Sequence, residues 1–201
     1  MTNLLYLPVF FLFWWSIPYI YPISHSVISK KKIIIEYYRS LTHAVFVVCG
    51  LTLYPNYFPL IILSSQCYFL VDWIVTDNNW IIIIHHIVSI VGLQMTIIYP
   101  YLKEMVIVAF IILEFTNIIS HIDALLQFSN LYYLEKFNIV SYILIRNIIG
   151  GYYSYYMFQK TPLYWSFILT YSVYNIIYLG GLYWSFHLIK NYRKKNIIHL
   201  E

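Results

Sequence analysis

The sequence predicts an all-α fold, a polytopic membrane helical bundle of about seven transmembrane helices. Three observations carry that expectation. Apolar residues make up 61% of the chain and charged residues 10%, with a mean hydropathy of +0.70; soluble domains carry roughly a quarter charged residues. The apolar residues gather into seven runs, most of them long enough at about 1.5 Å per residue to cross a hydrocarbon core of about 30 Å. The basic residues are clustered: nine of the twelve Lys and Arg lie between Lys30 and Arg39, at Lys136, or between Lys190 and Lys195.

The first run, residues 4–23, reads LLYLPVFFLFWWSIPYIYPI. Pro8, Pro18 and Pro22 should kink or end it. It has neither a basic leader nor a small-residue cleavage site, so it reads as a retained helix. A basic interfacial linker, HSVISKKKIIIEYYR, follows. Six further spans are expected at 40–54, 58–76, 80–99, 104–128, 138–158 and 163–189, the first being the shortest. They are separated where polar or Pro residues cluster: YPN, TDNN, YPYLKE, SNLYYLEKFN and QKTP. Because these connections are short, sequence neighbours are expected to be antiparallel neighbours in space. The domain reading is an N-terminal helix and basic linker (1–35), a six-helix membrane domain (36–195) and a short cytoplasmic tail (196–201).

With the Lys30–Arg39 linker in the cytoplasm, six crossings return the YRKK tail to the same side, and only Lys103 and Lys160 fall in loops on the other. The C-terminus is then cytoplasmic. The 23 tyrosines suit segments with one apolar and one wet end. The pairs Gly150-Gly151 and Gly180-Gly181 mark close helix contact. Cys49 and Cys67 sit in apolar runs without metal-ligand or CxxC spacing and read as small buried hydrophobes. No basic face large enough to track phosphates is present, so nucleic acid is not an expected partner.

Ionisable residues inside spans are rare and face a bundle interior or a wet cavity, so each is a functional candidate. His43, Asp72, the adjacent pair His85 and His86, His121 and Arg146 fall in the cytoplasmic half of their spans, with Glu114 and Asn117 nearer the middle. The outer half is almost wholly apolar. Glu114, Asn117 and His121 are spaced by three and four residues and share one helix face within about 60°. Asp123 is about 180° from Glu114 and is expected to reach the interface. Arg146 needs a counter-ion, with Glu114 or Asp72 the natural choices. His85 and Ser89 stand at i and i+4, so the hydroxyl can fix the imidazole tautomer and make His85 the oriented ring. Adjacent histidines have the wrong spacing for a helical zinc pair, and no metal is expected.

The order of these features resembles the TLC domain family, which includes ceramide synthases and translocation-associated membrane proteins. YYRSLTHAVF resembles the basic approach to its first helix, with Arg39 and His43, and SSQCYFLVDWIV the helix ending at Asp72. WIIIIHHIVSIVGL resembles its histidine-pair helix, LLEFTNIISHIDALL its Glu-x-Ser/Thr helix, and SYILIRNIIGG the helix with a single intramembrane Arg. The resemblance covers about 36–195 and is to the short, TLC-only branch. Ceramide synthases carry Thr where this chain has Ser89, and a His-Asp-x-x-Asp group where it has Leu113 to Asn117. The resemblance implies a lipid-handling protein of the endoplasmic reticulum or a related endomembrane.

Two function classes stay open. One is an enzyme transferring an acyl chain from acyl-CoA, as co-substrate, to a lipid amine or hydroxyl. His85 or His86 would be base or transient acyl acceptor, Asp72 or Glu114 would orient it, and Arg146 or His121 would stabilise charge, with Asn117, Ser89 and His43 lining the substrate site. The other is a non-catalytic lipid-sensing, lipid-transfer or cargo-binding protein using the same cavity. Membrane lipid and a fatty acyl chain are the expected partners, no bound cofactor is expected, and homo-oligomerisation stays open. A proton or ion pathway is disfavoured because the apolar outer half offers no route.

Overall fold

Two of the chain's three Tyr-Pro pairs, Tyr54-Pro55 and Tyr99-Pro100, fall within the described residues and punctuate them. In the computed structural model, which describes residues 6–20, 31–75, 80–128, 134–160 and 164–198, Tyr54 and Tyr99 leave the helical conformation before Pro55 and Pro100, with φ of −132° and −120° and ψ of 53° and 84°. Proline disfavours the helical conformation in the residue before it and is itself well placed in a first helical turn. Each pair therefore ends one helix and opens a short 3-10 turn into the next, Pro55–Tyr57 and Pro100–Leu102.

The chain is all-helical, with no strand among the described residues. The helices are α1 (Leu7–Ile20), α2 (Lys31–Leu53), α3 (Phe58–Val75), α4 (Trp80–Ile98) and α5 (Lys103–Phe128). Then come α6 (Glu135–Ser141), a π-helical segment (Tyr142–Ile149) and α7 (Gly150–Lys160), which run on as one rod, and finally α8 (Trp165–Ile198). The seven expected runs thus each fall on a helix. The proposed breaks within 21–30, 76–79, 129–133 and 161–163, with Pro22 and Lys30, lie outside the described residues, as do 199–201 of the tail.

Three details differ from the sequence reading. Helix α2 begins at Lys31 and not near 40: the IIIEYYR stretch has helical periodicity that its charges had suggested was linker. The tightest packing also joins elements distant in sequence, with α2 along α5, α1 against α3, and α4 against α8. Short loops make sequence neighbours adjacent but do not make them the closest pairs. Cys49 is exposed on α2, while Cys67 is buried; both are free.

Two apolar clusters bracket the bundle. One joins Trp14 of α1 with Val47, Ile62, Phe69 and Phe110; the Trp14 indole N–H donates to the Ser64 carbonyl oxygen at 2.9 Å, so a fully buried ring keeps its polar handle satisfied. The other joins Leu102 of the second 3-10 turn and Ala109 of α5 with Met157, Phe167 and Tyr174. Among the described residues, two helical stretches, Pro55–Val75 and Pro100–Gln127, are long and apolar enough to cross a membrane.

The glycine pairs act as close-contact points. A Cβ on Gly151 would stand 2.7 Å from the Tyr178 hydroxyl, and one on Gly181 would stand 2.5 Å from Arg146 Nε. The Tyr178 and Tyr174 hydroxyls, from α8, donate to the carbonyls of Asn147 and Gly150 at the end of the π segment. That segment breaks the usual backbone ladder, and such segments concentrate at functional sites.

Candidate functional site

Four elements contribute polar residues at three- or four-residue spacing, which places them on one face of each, while α4 contributes the adjacent His85 and His86. On α2 these are Arg39 and His43, on α3 Tyr68 and Asp72, and on the π rod Tyr142 and Arg146. On α5 they are Glu114, Asn117 and His121. These faces meet in a chamber of about 500 Å³. Eight of the nine candidate residues line it: His43, Asp72, His85, His86, Glu114, Asn117, His121 and Arg146. Ser89, the ninth, lines an adjoining apolar slot of about 60 Å³ that runs between α4, α5 and α8. Phe69, His85, Glu114, Asn117 and Arg146 line both spaces, so the polar chamber and the apolar slot meet at these five side chains.

Two charged arrangements hold the chamber walls. Asp72 is paired with Arg39, whose Nε and Nη2 both donate to Oδ1, the former at 3.1 Å. Its other oxygen, Oδ2, lies 3.3 Å from His86 Nε2. Arg39, Asp72 and His86 are all buried. Across the chamber, the Asn117 amide donates to Glu114 Oε2 at 3.1 Å, and Arg146 Nη1 donates to Asn117 Oδ1 at 3.0 Å. The counter-ion expected for Arg146 is therefore reached through a neutral amide, and Asp72 belongs to Arg39. His43 stacks on the Tyr68 ring at 3.8 Å, its Nδ1 3.9 Å from Glu114 Oε2.

The two adjacent histidines differ. His86 is the ring held by a carboxylate; its Nδ1 is buried without a hydrogen-bond partner among the described residues. His85 is half-buried and stands at the junction of chamber and slot, between Phe69 and Trp184 at 6.2 Å from each ring centroid. No hydrogen bond joins Ser89 to the His85 ring among the described residues. The carboxylate-oriented ring is thus His86, and the ring presented to the junction is His85.

Sequence reasoning missed three participants. Arg39 was absorbed into the basic linker, although its four-residue spacing from His43 marks the same face. Asp123 is not turned outward: it is 2% exposed and accepts hydrogen bonds at Oδ2 from Asn138 Nδ2 at 2.9 Å and Gln127 Nε2 at 3.1 Å. Asn138 in turn accepts from Ser120 Oγ at 2.8 Å. Asp123, Gln127, Ser120 and Asn138 line the chamber too; no local pattern announces Asn138, whose role depends on α6 packing against α5. No three His, Cys, Asp or Glu side chains converge as a metal-ligand group among the described residues.

No protein-family model, curated protein or solved structure matches the chain.

Proposed function

We propose that the protein is a multi-pass membrane protein of TLC type, with a cytoplasmic C-terminus, in the endoplasmic reticulum or a related endomembrane. There it transfers an acyl chain from a thioester such as acyl-CoA to a lipid amine or hydroxyl. The membrane part of this reading is supported by an inverted distribution of side chains. Val9, Leu12, Leu53, Ile74, Ile148, Leu179 and Phe186 are each more than half exposed, while Arg39, Asp72, His86, Glu114 and Arg146 are buried. Outward apolar faces around a polar centre suit a lipid solvent.

The chemical part rests on one observation: a polar chamber and an apolar slot share His85, Glu114, Asn117 and Arg146. An acyl thioester with the first carbons of its chain entering the slot would present its carbonyl at that junction. His85 takes the acceptor's proton, the acceptor heteroatom attacks the carbonyl, and Arg146 faces the negative charge that develops on oxygen. Collapse breaks the carbon–sulfur bond, and the leaving thiolate takes the proton back from His85. The His86–Asp72–Arg39 arrangement fixes the helix that carries His85.

The test is acyl transfer by the purified chain in lipid nanodiscs, supplied with radiolabelled acyl-CoA and membrane lipids. His85→Ala should lower turnover at least about a hundredfold, the scale of a lost general base, with the protein still folded. Full activity in this variant overturns the assignment. Lipid that co-purifies but is never turned over would make the protein a lipid carrier or sensor instead.

A further inference from the structure

Of the three acidic side chains on the chamber wall, Asp72 meets Arg39 directly and Glu114 reaches Arg146 through Asn117. Asp123 has only neutral hydrogen-bond partners, the amides of Asn138 and Gln127, and both act on Oδ2. Its Oδ1 is buried with no partner among the described residues, and so is the nearby His121 Nδ1. A buried carboxylate without a cation is costly and is relieved by one. The chamber beside it has the volume of a small-molecule site.

Asp123 lies nine residues beyond Glu114 on α5, about 13 Å along the helix axis at about 1.5 Å per residue. It is also close to the helix end at Phe128, where the expected topology places the cytoplasmic interface. A cation at Asp123 therefore sits at headgroup depth and is too far from the junction to be the reacting group. An extended covalent chain advances about 1.2 Å per bond, as three backbone bonds in about 3.6 Å show. In a lysophospholipid, about eight bonds separate the ammonium nitrogen from the free glycerol hydroxyl, or about 10 Å. A lipid held by its ammonium at Asp123 brings that hydroxyl to within reach of the junction.

We infer that Asp123, set by Asn138 and Gln127, is the headgroup subsite for the ammonium of a zwitterionic lysophospholipid whose free hydroxyl is the acyl acceptor. The acceptor step rests on the acyl-transfer reading above; the ammonium subsite does not. In that step the hydroxyl oxygen forms the new ester bond and its proton passes to His85. The thioester carbon–sulfur bond breaks, and the thiol leaves with the proton.

The experiment compares lysophosphatidylcholine with lysophosphatidylglycerol of the same chain, added to the full chain in phosphatidylglycerol nanodiscs. Retained ligand is read by mass spectrometry. The choline lipid should bind at least about tenfold tighter, Asp123→Asn should abolish that preference, and Asp123→Glu should keep part of it. Lysophosphatidylethanolamine, a second ammonium lipid, should follow the choline lipid on the unmodified protein, a comparison that needs no variant to fold. Equal binding of choline and glycerol lipids, binding of neither, or an undiminished preference in folded Asp123→Asn overturns the subsite. With acyl-CoA present, acyl transfer without headgroup preference defeats this inference alone. Headgroup-selective binding without transfer keeps the ammonium subsite and defeats the acyl-transfer reading.

Discussion

The two walls of the chamber solve the same problem differently. On the α2–α3 wall, Arg39 meets Asp72 directly, and both are sealed from solvent. On the α5 and π-helical wall, Glu114 and Arg146 are joined only through the Asn117 amide. A direct buried pair costs much to break because each partner is left as an isolated charge. A relay through an amide costs less to rearrange and leaves both charges available to a third group. The first wall is built to stay put, and the second, which borders the slot, is built to respond to what enters it.

That contrast can be broken from either side. Asp72→Ala strands Arg39 in the interior and should cost about 3–5 kcal/mol, seen as a large fall in the thermal unfolding midpoint of the purified protein. A variant of near-normal stability would make the α2–α3 wall no firmer than its counterpart. Asn117→Leu removes the relay and should destabilise less, about 2–3 kcal/mol. Its larger effect should fall on turnover of bound acyl thioester, and a purely structural loss with full turnover would contradict a responsive wall. Gly181→Ala is the mildest change, since its Cβ would meet Arg146 Nε at 2.5 Å and Cδ at 3.0 Å. The guanidinium must shift, at about 1–2 kcal/mol, and the expected signature is an altered rate with an unfolding midpoint lowered by only a few degrees.

The difference between the walls also bears on what the sequence could reveal. Glu114, Asn117 and His121 announce their shared face by spacing alone, because all three lie on one helix. The positions of the seven helical runs follow from apolar length and from Tyr54-Pro55 and Tyr99-Pro100. Arg39 was hidden by its neighbours: in a stretch dense with Lys and Arg it read as topology-setting charge, and only the packing of α2 along α5 and α3 brings it inside. Asp123 was misjudged for a related reason, since an angle of about 180° from Glu114 means exposure only if nothing packs there, and α6 does. The pairing of Asp72 with Arg39 in place of Arg146 could not be read at all, because three interior charges allow more than one matching and tertiary geometry selects among them.

The π-helical segment has a consequence for inheritance. A π turn accommodates an extra residue without lengthening the rod in proportion, so it sets the rotational phase between α6 and α7 as a splice would. Removing one residue between Tyr142 and Ile149 would let the backbone relax to an ordinary helix with its two flanks nearly in their present phase, whereas the same deletion in α6 or α7 would turn everything on one side of the cut by about 100°. Either Asn138 would leave Asp123, or Gly150 and Gly151 would leave Tyr174 and Tyr178. A single-codon deletion is therefore tolerated within the π segment far more readily than in α6 or α7, where a lineage that lost one residue would have to rebuild one end of the chamber.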